Sequence, residues 1–82
     1  YSILNGEYEI IEAEIIETSE LVNKELKNSN LPDEIRIGAV LRGEEVIIPR
    51  SNFVFKKEDI VVLLANKDFL HVVENMFRIS SI

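Results

Sequence analysis

The run Ile60-Val61-Val62-Leu63-Leu64-Ala65 constrains this chain more than any other stretch. It is fully apolar and rich in β-branched residues. Such a run reads as the central strand of a sheet, covered on both faces. It is also the longest apolar run in the chain, far short of the ~20 residues a membrane span needs.

The 82 residues amount to one domain. A chain of this size buries only about 60% of the surface its unfolded form exposes. Isoleucine, leucine and valine dominate the apolar content, and a monomer has limited room for them. An exposed apolar patch marks a partner surface, and two-fold self-association is the commonest assembly. A homodimer is therefore expected.

The rest of the chain supplies elements to surround that strand. Residues 8–16 alternate apolar and acidic side chains, as a strand does. Their phase slips at Ile10-Ile11, which suggests a β-bulge or a strand that changes packing partner midway. Thr18 or Ser19 can cap a helix, with Glu20 in its first turn. Leu21, Val22 and Leu26 form its apolar face, and Asn28-Ser29-Asn30 with Pro32 ends it. In the next strand Ile35, Ile37, Ala39 and Leu41 lie on one side, and Arg36, Gly38, Val40 and Arg42 on the other. Gly43-Glu44 turns this strand into Val46-Ile47-Ile48, and Pro49 closes the hairpin or confines it to an edge.

Phe53-Val54-Phe55 follows as a short strand, and Lys56 to Asp59 forms a polar turn. After the central strand, Asn66 is a good N-cap. Phe69, Leu70, Val72, Val73, Met76 and Phe77 then fall on one helical stripe. The expected class is α+β, in the order β-α-β-β-β-β-α. A small, mainly antiparallel sheet of four to five strands carries two helices. Residues 1–7 read as a lead-in from a linker or preceding domain, 8–78 as the domain, and 79–82 as a tail. The start at Tyr1 suggests a piece of a larger protein.

Charge and chemistry narrow the function. Nine Lys and Arg against 15 Asp and Glu give a net charge of −6, which argues against nucleic-acid binding. Residues 1–34 carry nine acids against two bases, a net of −7, and residues 35–82 net +1. The acidic segment is either a solvated face or a partner-directed surface. With no cysteine and one histidine, neither a thiolate site nor an imidazole cluster can form. Phosphate-cradling glycine loops and hydrolase motifs are absent. His71 and Glu74 lie one helical turn apart and read as an exposed pair, so no catalytic or metal residue is assigned and an enzyme is not expected.

The most suggestive constellation is Arg42, Ile47, Ile48 and Arg50. Two arginines flank an apolar ledge, which suits a ligand carrying bases and phosphates. The same residues are equally those of an ordinary edge hairpin, its arginines paired to Glu44, Glu45 or the acidic first strand.

Taken in order, several of these residues resemble the C-terminal domain of RCK proteins, the TrkA-C domain. The carriers are Ser19-Glu20-Leu21-Val22-Asn23-Lys24-Glu25-Leu26, then Leu41-Arg42-Gly43, Pro49 and the Glu58-Asp59 turn. Leu31-Pro32-Asp33, Ile37 to Gly43 and the tail from Asn66 to Phe77 are also similar. The resemblance covers residues 8–77. Asn23 and Glu58 stand where the family has glycine. Asn tolerates the left-handed region, whereas Glu does not, so a right-handed turn is expected at Glu58.

The resemblance implies regulation of potassium transport rather than catalysis. It implies a cytoplasmic domain at the inner face of the membrane, a dimer mate and a membrane potassium channel subunit as partner. It also implies a separate nucleotide-binding Rossmann domain, with no cofactor in this one. In related regulators cyclic di-AMP binds at the dimer interface, which carries over to Arg42, Ile47, Ile48 and Arg50. The alternative is a sensor module of another ion or anion transporter.

Overall fold

The computed structural model describes residues 2–79. Its elements are β1 (Ser2–Ile3), β2 (Tyr8–Glu14), β3 (Ile35–Arg42), β4 (Glu45–Ile47), β5 (Ile60–Asn66), helix α1 (Leu70–Met76) and β6 (Arg78–Ile79). The strands pair into one antiparallel sheet in the order β1-β2-β5-β3-β4, with β6 also on β2. The apolar run is thus central, as its composition demands. Residues 80–82 of the expected tail, and Tyr1 of the lead-in, lie outside the described residues.

Each long strand buries alternate side chains. Ile11 and Ala13 of β2, with Ile15 just beyond it, face the core, as do Val61, Leu63 and Ala65 of β5. Val73 and Met76 of α1 close over the same side, with Phe55, Leu21 and Phe77. Phe55 is fully buried, and burial of this kind contributes about 1.5–3 kcal/mol per large side chain. Asn66 caps the 3-10 turn that leads into α1, its Oδ1 accepting from Asp68 N at 2.9 Å. His71 and Glu74 lie on the exposed side of α1.

The first helix expected at residues 19–27 does not form. The segment is a chain of turns with a 3-10 turn at Leu26–Asn28. Asn23 sits at φ +66°, which no α-helix accommodates. The backbone groups go instead to residues 51–55. Asn23 N donates to Phe55 O, Phe55 N to Lys24 O, Leu26 N to Phe53 O and Lys27 N to Ser51 O. A helix this short is marginal in water, so these tertiary bonds prevail over its propensity. Leu21 is nonetheless fully buried, and Val22 and Leu26 pack on the core. Phe53-Val54-Phe55 supplies only an isolated bridge, Val54 to Glu25, rather than a strand of the sheet.

The bulge lies on β3 rather than on β2, whose outer edge instead changes partner, from β1 at Tyr8 and Glu9 to β6 at Ala13 and Glu14. β2 pairs with β5 without interruption from Tyr8 to Glu14. Its double isoleucine simply puts Ile11 in the core and Ile10 on the other face, 41% exposed. On β3, Ile37 pairs with Leu63 but Ala39 with Val62, so Gly38 is an extra residue. One inserted residue reverses the facing of everything after it. Ile35 and Val40, of opposite parity, are therefore both buried. Arg42 is turned to the core side, and Ala39 and Leu41 go to the opposite face.

That opposite face is apolar too. Ile10, Ala39, Leu41, Ile60, Val62 and Leu64 occupy neighbouring positions on three strands. They remain half-buried or exposed, and none belongs to the core cluster or packs against it. The central strand is therefore covered by the chain's own core on one side only.

Candidate functional site

The β3–β4 hairpin meets the turn before β5 through a single buried carboxylate. Asp59 is 1% exposed, and its carboxylate accepts three hydrogen bonds. Arg42 Nε donates to Oδ1 at 2.8 Å and Arg42 Nη2 to Oδ2 at 2.7 Å. Lys56 N also donates to Oδ2, at 2.8 Å. The same Arg42 Nη2 donates to Val54 O at 3.0 Å. A planar guanidinium fits a carboxylate in this two-point way, and lysine would not.

The Arg42 guanidinium also lies over the Phe53 ring, 5.0 Å from its centroid, and Phe53 meets Phe55 edge-on at 5.4 Å. Its hydrogen bond to Asp59 raises the Arg42 pKa further, outweighing the opposing effect of burial. The bulge at Gly38 makes this possible, because without the inserted residue Arg42 would face the other way.

The turn that holds Asp59 is strained. Glu58 sits at φ +72°, so the right-handed turn expected there is replaced by a left-handed one. Lys56 O accepts from Asp59 N, and Glu58 N donates to Ile15 O at 2.7 Å while Ile15 N donates to Asp59 O at 2.9 Å. A positive φ at the third position is what a type II turn demands. The two bonds to Ile15 and the Asp59 fork hold it despite the missing glycine.

The four residues expected at a ligand ledge are distributed unevenly. Arg42 is spoken for by Asp59, although its side chain stays 38% exposed. Its partner is neither Glu44, Glu45 nor the acidic first strand. Ile47 lies on the same side as Arg42 and packs against the core. Ile48 projects oppositely, 72% exposed. Arg50 is exposed beyond Pro49 and makes no ion pair with a described residue. Within one chain the ledge therefore offers Ile48 and Arg50 at the surface, with Arg42 fixing its base. Asp59 is the residue that sequence reasoning did not single out. Its place in the Glu58-Asp59 turn was the available signal.

Comparison with known proteins agrees with this arrangement of elements. The chain matches the TrkA-C domain family over residues 10–78. It is 44% identical over 80 residues to the Trk system potassium uptake protein TrkA of Azorhizobium caulinodans, covering 98% of this chain and 18% of that protein. A TrkA homolog of Archaeoglobus fulgidus is 36% identical over 64 residues, covering 78% of this chain and 15% of that protein. The chain thus spans less than one fifth of these relatives. A solved structure of an RCK domain with cda superposes with a TM-score of 0.73 at 16% identity, covering 84% of this chain and 97% of that one. At that identity the likeness is one of fold. Matched over most of its length by the family, and in sequence by these relatives, the chain belongs to the TrkA-C domain family.

Proposed function

We propose that this domain is the regulatory part of a potassium uptake protein that acts at the cytoplasmic face of a membrane potassium channel. The observation that carries this reading is the 44% identity to a Trk system potassium uptake protein across nearly the whole chain. Among the described residues no helix is long and apolar enough to cross a membrane, so any contact with the channel is peripheral in this reading. The domain works by association and ligand binding rather than by catalysis. It dimerises, and the dimer takes a small ligand at the hairpin formed by Arg42, Ile47, Ile48 and Arg50.

The ligand chemistry follows from those side chains. Ile48 supplies an exposed apolar surface for a base, and Arg50 a guanidinium with no ion pair to a described residue, open to a phosphate. Arg42 holds the hairpin in place through Asp59, and its side chain stays 38% exposed. Cyclic di-AMP has this combination of rings and phosphates. The fold neighbour solved with cda lends the same direction.

The test is thermal denaturation of the chain with cyclic di-AMP, ATP or NAD. A ligand that binds only the folded state raises the midpoint. Cyclic di-AMP is expected to raise it in the wild type and not in Arg50→Ala. No shift with any of the three would remove the ligand from this reading. Potassium uptake by cells carrying the full-length protein with and without this domain tests the regulatory role. Unchanged uptake and unchanged control would overturn it.

A further inference from the structure

We propose that the open face of the sheet holds a second ligand site, for an apolar amino acid whose zwitterionic head lies at Arg36 and whose side chain lies on Val62 and Leu64. The site is separate from the β3–β4 hairpin and does not depend on the ligand placed there. A depression of about 340 Å³ is floored by Val62 and Leu64 of β5, with Ile3 and Ile10 on one side and Arg36 on the other. Arg36 is the one charged residue in its lining. The bulge residue Gly38 also lines it and brings no side chain to fill it. A second depression, of about 360 Å³, adjoins the first and shares Ile3, Arg36 and Leu64 with it. Asp33 and Glu34 line this second one. Each volume lies toward the lower end of the ~300–1,000 Å³ of small-molecule sites, which suits a ligand of metabolite size.

What identifies the occupant is the pairing of both signs of charge with an apolar floor. Arg36 is exposed and makes no ion pair with a described residue. The same holds for Asp33 and Glu34, although they are close to Arg36 in sequence. The groove therefore presents one guanidinium and two carboxylates that are not committed to each other. A phosphate or a fatty-acid carboxylate would meet Arg36 but also two like charges. A simple amine would meet the carboxylates but also Arg36. A carboxylate and an ammonium on one carbon answer both signs, and an apolar side chain on that carbon answers the floor.

The reach is that of a single amino acid. Arg36 pairs with Leu64 on the neighbouring strand, and Val62 is the next residue along β5 on that face. Those steps are about 5 Å across the sheet and about 7 Å along it. A head at Arg36 thus leaves a leucine-sized side chain over Leu64 and Val62, against Ile10. The groove is open to water, so each charge pair adds little affinity by itself. The apolar contact supplies most of the affinity, and the head group supplies the selection. For a ligand of about nine non-hydrogen atoms in an open groove, dissociation constants of about 0.1–1 mM are expected. That is a range in which a regulatory site responds to a metabolite pool.

The test is titration of the chain, followed by its amide NMR resonances, with L-leucine, glycine, isocaproate and isopentylamine up to about 10 mM, well above those constants. Isocaproate is leucine without the ammonium, and isopentylamine is leucine without the carboxylate. Leucine is expected to shift Gly38, Val62 and Leu64 saturably, and glycine is not. The two truncated ligands are expected to bind about threefold to fivefold more weakly than leucine, the scale of one exposed charge pair. Arg36→Gln is a surface change that leaves the core intact. It is expected to weaken leucine by the same factor and not to weaken isopentylamine, a split that a merely structural effect would not produce. Isocaproate or isopentylamine binding as tightly as leucine would overturn the amino-acid assignment. Equal weakening of leucine and isopentylamine by Arg36→Gln would overturn the role of the arginine. Shifts confined to the hairpin, or none at all, would overturn the site. So would resonances of Val62 and Leu64 that move with protein concentration and not with leucine, because a second copy would then cover the face.

Discussion

Asp59 Oδ1 and Oδ2 accept from Nε and Nη2 of Arg42 at 2.8 and 2.7 Å, joining the last residue of β3 to the residue before β5. The pair is lopsided, with the Asp59 side chain 1% exposed and that of Arg42 38% exposed. Removing the arginine strands a buried carboxylate, whereas removing the carboxylate frees an arginine that already reaches water. Arg42→Met is therefore expected to cost about 3 kcal/mol or more, by the rule for breaking a buried pair from one side. Asp59→Asn keeps an acceptor for Lys56 N and is expected to cost about 1–2 kcal/mol. Urea unfolding of both variants measures the difference. Equal losses would mean that Asp59 is hydrated in the folded protein. Because the Arg42 pKa is raised, its charge is kept up to strongly alkaline pH, so the contribution of the arginine is not lost between neutral pH and that limit.

Glu58 occupies a left-handed conformation, φ +72°, with its side chain exposed. A residue with a Cβ is strained there, and glycine is not. Glu58→Gly is expected to stabilise the fold by up to about 1 kcal/mol, read as a higher urea midpoint with unchanged slope. The gain is bounded because glycine also widens the unfolded ensemble. A loss of stability would show that the Glu58 side chain holds the turn.

The central strand, the C-terminal helix and the hairpin were legible because each rests on a local pattern. Residues 60–66 are apolar throughout, the stripe from Phe69 to Phe77 has helical spacing, and Gly43 takes the positive φ its turn needs, +61°. Three features were not, and each depends on a contact distant in sequence. Residues 19–27 have helical spacing, but their backbone groups are taken by residues 51–55. The bulge has only a faint signature in β3, Gly38 inside the strand and the apolar run Ala39-Val40-Leu41 after it, which a strict alternation of faces passes over. It is enforced by the gain from burying both Ile35 and Val40 against the same core. Glu58 stays left-handed because Ile15 and Arg42 grip its neighbours. Of the candidate ligand residues, the arginines were visible by type, but the commitment of Arg42 was invisible without its partner 17 residues away.

Gly38 separates the need for an extra residue from the need for a glycine. A Cβ built there would meet Val62 O at 3.5 Å, ordinary van der Waals contact. Gly38→Ala is accordingly expected to change stability by less than about 1 kcal/mol. Deleting Gly38 restores a regular ladder but turns Val40 outward and pulls Arg42 from Asp59. That change is expected to lose at least the ~3–5 kcal/mol of a broken buried pair, enough to unfold a domain of this size. Circular dichroism and urea titration distinguish the two. A stable, cooperative deletion variant would show that β3 can shift register.

Ser19 reaches across the chain to the end of α1. Its Oγ donates to Met76 O at 2.8 Å and accepts from Leu21 N at 3.2 Å. The last carbonyls of a helix have no partner within it, so this hydroxyl satisfies one of them from outside. Ser19→Ala is expected to cost about 1 kcal/mol overall, the net value of one hydrogen bond. The loss should be local, because only the turns near residue 19 and the end of α1 share the bond. Hydrogen exchange is expected to quicken about fivefold in α1 and in residues 19–24, with β5 slowed or quickened no more than global stability requires. Uniform acceleration across β2, β5 and α1 would show instead that the helix and sheet open as one unit.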